Sequence, residues 1–230
     1  MGTRVAIVGF AIALVAGAAL AQTPAGGERA EETHVLVLSP KPSTRANETH
    51  AALVLSVASY SGDVTFRGRV RTVKQLRSGS DPNPWECVWI VWNYYGGNFY
   101  YLALKTNGWE IGKRDHTQAG QQRFLKTGKA EFQVGGWHDF EISQKQNEIT
   151  IQLDGEEVAS LEDVDRPYTF GRIGFYTEDA EVQVDDVTAP FKDNFEDYPL
   201  QTIRGDGRVV KNWYLPYLGH GYAAISTGKK

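Results

Sequence analysis

Two carboxylates, Glu86 and Glu110, and the Tyr101 hydroxyl are the groups in this chain best suited to move a proton or attack a bond. Carboxylates about 5 Å apart are the apparatus of a retaining glycosidase, and a wider pair serves an inverting one. Alternation decides which residues share a face. In residues 99–105 (FYYLALK) Leu102 and Leu104 are expected inward, so Tyr101 and Lys105 point out. In 109–113 Trp109 and Ile111 go in and Glu110 out. In 172–178 Ile173 and Phe175 go in, leaving Tyr176 and Glu178 outside. The parity of 85–95 (WECVWIVWNYY) is ambiguous; with Cys87, Trp89 and Val91 inward, Glu86, Trp92 and Tyr94 face out. Arg67, Arg69 and Arg71 lie opposite Val64, Phe66 and Val70.

The expected catalytic set is therefore Glu86, Glu110 and Tyr101. The expected binding set is Trp92, Tyr94, Lys105, Arg71, His50, Tyr176 and Glu178. Six Trp, 11 Tyr and 10 Phe are the outstanding feature of the composition, and such rings are platforms for sugar faces as well as core. Tyr101, His50, Lys105 and Arg71 are also the types an elimination needs, a Tyr or His base with a cation to neutralise a carboxylate. Each assignment has a plainer rival: solvated charges on a strand face, Trp92 and Tyr94 in a doubly covered strand, and Glu86 holding the Pro-rich loop before it. The Glu86–Glu110 pairing rests on parity alone. The chain has no E-x-D-x-x-E strand, nucleotide loop, zincin helix or nucleophile elbow. His34, His50, His116, His138 and His220 show no ligand spacing.

The elements that must hold these groups are strands. Residues 34–38 (HVLVL), 49–57 and the alternating 63–73 (DVTFRGRVRTV) come first. Residues 78–84 (SGSDPNP) form a loop, and 85–95 reads as a central strand apolar on both faces. Asn107-Gly108 is a hairpin turn between 99–105 and 109–113, and 114–122 is a polar loop. Then come 137–143, 148–153, an Asp154-Gly155 turn, 157–161, 172–177 and 181–187. Short strands between frequent turns predict an antiparallel sandwich.

The 230 residues open with a positive Arg4, an apolar run over 5–20 and a small-x-small site before Gln22. That is expected to be a signal peptide over residues 1–21. A flexible leader over 22–32 and a single domain over 33–230 should follow. The expected location is secreted or periplasmic, with no membrane span after cleavage. A net charge of −4 argues against a nucleic-acid partner. The single cysteine, Cys87, excludes an internal disulfide.

Residues 136–187 carry a resemblance: Trp137, Phe140, Ile149-Thr-Ile151-Gln-Leu153-Asp154-Gly155, Gly171-Arg-Ile173-Gly174-Phe175-Tyr176 and Val184-Asp185-Asp186-Val187. This stretch resembles the end of the concanavalin A-like, laminin-G-like jelly rolls, and among them the bacterial 3-keto-disaccharide hydrolase-like (family-16-like glycosidase) domains. The resemblance implies an all-β antiparallel sandwich with a glycan groove on its concave sheet. It also implies a calcium site, with Asp185, Asp186, Asn194 and Glu196 as ligands; hydrogen-bonded turn carboxylates are the alternative. No cofactor is required. The partner implied is a polysaccharide or oligosaccharide, bound or processed by a monomer. A glycoside hydrolase or polysaccharide lyase proper, and a non-catalytic envelope module, remain open.

Domains of this kind begin with D-x-F-E/D, a turn and a Trp strand. Here Asp193-Asn194-Phe195-Glu196, Trp213, Gly219 and Gly221 stand at the C-terminal end. A circular permutation, with 193–226 supplying the usual first strands, is expected. A truncated second domain and strand exchange with a neighbouring copy are the alternatives.

Overall fold

Alternating apolar residues force the chain into strands that bury one face each, and two such sheets close on one core. The computed structural model describes residues 32–229. The expected signal segment and all of the leader but Glu32 lie outside the described residues. In chain order the strands are β1 (Glu32–Ser39), β2 (Ala51–Ser56), β3 (Tyr60–Ser61), β4 (Val64–Gln75), β5 (Val88–Tyr95) and β6 (Asn98–Lys105). They continue with β7 (Gly108–Arg114), β8 (Gln122–Gly128), β9 (His138–Lys145), β10 (Glu148–Leu153), β11 (Glu156–Glu162) and β12 (Phe170–Glu178). The last are β13 (Ala180–Thr188), β14 (Lys192–Asp193), β15 (Gln201–Ile203), β16 (Arg208–Val210), β17 (Trp213–Tyr217) and β18 (Tyr222–Lys229).

The first sheet runs β11-β10-β9-β4-β13-β1-β18-β15, with β14 on β13. The second runs β16-β17-β2-β12-β5-β6-β7-β8, with β3 on β12. Every pairing is antiparallel. Leu38, Phe66, Ile142 and Val184 of the first sheet meet Val54, Ile90, Phe175 and Trp213 of the second in one core. Phe175 reaches across to Phe66 of the first sheet, 5.6 Å away between ring centroids, and lies 5.8 Å from Trp213 of its own sheet. The β10–β11 hairpin turns at Asp154 (φ 51°) and Gly155 (φ 85°), the left-handed pair that a two-residue primed turn requires.

Residues 193–229 complete both sheets. β18 pairs β1 from Glu32↔Lys229 to Ser39↔Tyr222, and β17 pairs β2. Asp193 anchors this stretch. Its carboxylate accepts the Trp213 indole N–H at 2.9 Å, the Tyr198 hydroxyl and the Phe195 N–H at 3.1 Å. These donors meet the hydrogen-bonding needs of a carboxyl group that is itself buried. No helix among the described residues is long and apolar enough to cross a membrane.

Candidate functional site

The second sheet buries aromatics on its outer face as well as its inner one. Val88, Ile90 and Trp92 of β5 enter the main core, whereas Cys87, Trp89 and Val91 gather outside with Phe99, Tyr101 and Ala103. The expected parity of this strand is thus reversed. Trp92 is core: it stacks on Tyr100 at 5.3 Å and donates its indole N–H to Gln144 at 2.8 Å. A bulge follows, with Asn93 at φ 51°, and Tyr94 then packs against the outer cluster, stacked on Phe99 at 5.4 Å.

Register aligns the outer residues in two rows. Tyr176, Trp89, Ala103, Glu110 and Thr127 are successive partners across β12, β5, β6, β7 and β8; Val91, Tyr101 and Gly112 form the next row. The Trp89 ring lies 4.6 Å from Tyr101 and 5.4 Å from Tyr176. Tyr101 reaches across Gly112, where a Cβ would sit 2.3 Å from its hydroxyl oxygen. That hydroxyl donates to Glu110 Oε1 at 2.8 Å and accepts from Gln122 at 2.7 Å. Lys105 Nζ holds the other Glu110 oxygen at 2.7 Å. Glu178 has no such cation; its Oε1 accepts the Tyr176 hydroxyl at 2.5 Å.

Burial pushes the Glu178 carboxyl above its usual range. The Tyr176 bond opposes this, and the Asp179 and Glu86 charges add to it. Burial, with Glu110 beside it, likewise raises the Tyr101 phenol, and Tyr217 is pushed up to about 12 by burial. The face therefore holds one glutamate ion-paired with a lysine and one whose carboxyl burial raises above its usual range.

Two adjoining depressions open here. One, of about 340 Å³, is lined by Trp89, Phe99, Tyr101, Arg114, Tyr176 and Tyr217, with Gln122 and Glu178. The other, of about 380 Å³, is lined by Trp85, Trp89, Lys105, Glu110, Gln122, Phe124 and Glu178. Rings of this kind cover the C–H face of a sugar, and carboxyl, amide and ammonium groups bind its hydroxyls.

Of the residues expected from sequence, Glu110, Tyr101, Lys105, Tyr176 and Glu178 come together, with Tyr94 at the margin. Glu86 does not. It is buried at 1% exposure in ion pairing with Arg77, at 2.5 Å, and accepts Asn83 at 2.8 Å, so it fixes the loop before β5. His50 sits by Ser43, 3.1 Å away, and by Glu48 and Asp179, outside both depressions. Arg71 belongs to β4 in the other sheet, bonded to Gln183 at 2.8 Å and lying over Trp137 at 4.7 Å. The residues expected as calcium ligands make the following hydrogen bonds. Asp185 bonds Thr33 at 3.3 Å and the Asp186 N–H at 2.7 Å, Asn194 takes the Glu196 N–H at 3.3 Å, and Glu196 takes Thr33 and the His34 N–H at 3.0 Å. No group of three or more His, Cys, Asp or Glu among the described residues is arranged to hold a metal ion.

Sequence reasoning missed Trp89, Gln122, Phe124, Arg114, Tyr217 and Trp85. Trp89 was hidden by the parity of a doubly covered strand. Gln122 and Phe124 lie on β8, which has little apolar alternation and was expected to be loop at its start.

The model of the family described as "3-keto-alpha-glucoside-1,2-lyase-like domain" matches residues 62–189. The chain belongs to this family. The match includes every residue just placed around the depressions except Tyr217. Among solved structures, the chain is similar to the carbohydrate binding module CBM66 from Bacillus subtilis, with 18% identity over 62% of this chain and 83% of that one and a TM-score of 0.51. It is also similar to domains LG4-5 of the mouse laminin alpha1 chain, with 13% identity, 72% and 44% coverage and a TM-score of 0.46. Sheep galectin-11 gives 10% identity, 65% and 98% coverage and a TM-score of 0.41. These likenesses concern the fold. No curated protein matches.

Proposed function

We propose that this is an exported carbohydrate-binding domain whose ligand lies on the outer face of the second sheet, over Trp89. One observation carries the reading: three aromatic rings in mutual contact, Trp89 with Tyr101 and Tyr176, share two adjoining depressions with a Lys105–Glu110 pair and with Glu178, bonded to the Tyr176 hydroxyl, in the part of the chain that the family model matches. It is supported as well by a structural neighbour with a TM-score of 0.51 that is a carbohydrate binding module. Retention on immobilised polysaccharides, followed by calorimetric titration with oligosaccharides, tests it. Failure to bind any gluco-, fructo-, manno- or xylo-glycan would remove the reading.

A second reading, catalysis, is favoured by the raised Glu178 carboxyl and the family's description. In a 1,2-elimination from a 3-keto glucoside a base removes the C2 proton, the C1–O bond breaks, a C1=C2 bond forms and an acid protonates the departing oxygen. Glu178 is assigned the acid and Glu110 the base, with Tyr101 and Lys105 orienting Glu110. Nitrophenol release from a nitrophenyl 3-keto-α-glucoside checks this, alongside reducing-sugar assays for hydrolysis. A Glu178→Gln variant that keeps full activity would dismiss the assignment.

The circular order of strands also enters as a proposal. It is supported by the pairing of β18 with β1 and by a family match that stops at residue 189, before the Asp193 stretch.

A further inference from the structure

We propose that the two depressions are consecutive sugar subsites of one groove, so that the ligand is a glycan of two or more units whose linkage passes over Trp89, Gln122 and Glu178. This rests on the carbohydrate reading above and extends it to chain length. The depressions have those three residues in common, so they adjoin along that border. At about 340 and 380 Å³, each lies near the lower end of the roughly 300–1,000 Å³ of small-molecule sites. Each has room for at least one sugar ring, and a ligand that fills both runs from one to the other.

Their outer ends differ in chemistry. The first ends at Arg114 and Tyr217. The second ends at two large rings left in solvent, Trp85 at 45% exposure and Phe124 at 61%. Exposed rings beside a cleft are available to stack on an extending chain, whereas rings in a core are not. Trp85 is also held rather than loose. Its carbonyl accepts the Trp89 indole N–H at 2.9 Å and the Cys87 N–H at 2.9 Å. From beneath, Arg77 and Asn83 fix Glu86, the next residue. A ring carried on backbone that is already fixed before binding needs little rearrangement of the chain when a sugar docks on it. Glu178, at the junction, pairs with the Tyr176 hydroxyl and not with a cation, which suits a hydrogen bond to the oxygen between two sugars.

The test is affinity against chain length. Gluco-, fructo-, manno- and xylo-oligosaccharides of one to four units are titrated into the wild-type chain and into Trp85→Ala and Phe124→Ala, whose exposed positions leave folding intact. Near-UV circular dichroism confirms the fold of each variant. Affinity is expected to rise at least tenfold from one unit to two or three in the series that binds. Each variant should remove most of that gain, read as the ratio of its own oligosaccharide and monosaccharide affinities. Affinity independent of length, or unchanged in both variants, overturns the two-subsite inference and leaves the carbohydrate reading standing. No binding by any series removes both.

Discussion

Arg77, Glu86 and Asp179 form one charged cluster, and Lys105 and Glu110 form another. The first is closed: its side chains are 2%, 1% and 0% exposed. Asn83, Ser43 and the carbonyls of Arg45 and Ala46 occupy much of its remaining hydrogen-bonding capacity. The second is open along one side to a depression lined by aromatic rings. Both contain a glutamate paired to a cation, and sequence gives the two glutamates equal standing as catalytic candidates. What separates them is access. Glu86 is enclosed and shapes the loop that carries Trp85, while Glu110 meets the space where a ligand can sit.

The comparison is broken most easily by removing the cations. Arg77→Met leaves two buried carboxylates uncompensated and is expected to lower stability by about 3–5 kcal/mol in urea denaturation. Lys105→Met should cost less, about 1–3 kcal/mol, because Glu110, although only 8% exposed, borders an open depression and keeps the Tyr101 hydroxyl as a donor. Equal losses would show that the two clusters do not differ in kind. Asp193→Ala supplies a third point. It strips the Trp213 indole and the Tyr198 hydroxyl of their buried acceptor and should cost about 2–3 kcal/mol, with no change in the identity of the glycan bound.

Ligand affinity should separate the glutamates in the opposite sense. Glu110→Gln is expected to weaken glycan binding about tenfold, equivalent to roughly 1.4 kcal/mol, and Glu86→Gln to alter it less than twofold once folding is confirmed. A larger effect from Glu86 in calorimetry would reinstate it at the site.

The smallest effect is a pH slope. Glu178 has its folded-state value raised, so the folded chain binds more protons than the unfolded one above the ordinary glutamate value of about 4.3. Its contribution is full below that value and lost as pH rises through the folded value. Glu178→Gln should flatten this part of the stability profile. Asp163 behaves oppositely. Burial alone would raise it, but hydrogen bonds from Lys113 and Tyr100 overcome that and hold it low. Its contribution therefore survives until acid pH and is lost as pH falls through its folded value. Stability measured from pH 3 to 8 on the wild type, Glu178→Gln and Asp163→Asn checks the two signs.

Much of this was legible in the sequence because alternation is a local signal. Residues 99–105, 109–113 and 172–178 gave correct faces for Tyr101, Lys105, Glu110, Tyr176 and Glu178, since each strand carries a clear polar or tyrosine face. Residues 85–95 did not, because a strand buried on both sides has no polar face to set its phase. Trp89 and Trp92 were exchanged for that reason. Arg71 and His50 failed for another: which sheet a strand joins is a long-range property. β4 pairs with β9 and β13, and nothing inside its own sequence says so.

The central claim, that the glycan lies over Trp89 on the second sheet, is tested most directly by calorimetric titration of three chains with the best-retained oligosaccharide. These are the wild type, Trp89→Ala with its fold checked by circular dichroism, and Arg69→Ala, whose guanidinium lies on the opposite outer face with Asp139 at 3.1 Å. The account predicts at least a tenfold loss of affinity for Trp89→Ala and none for Arg69→Ala. Unchanged binding by folded Trp89→Ala, or loss confined to Arg69→Ala, would contradict it.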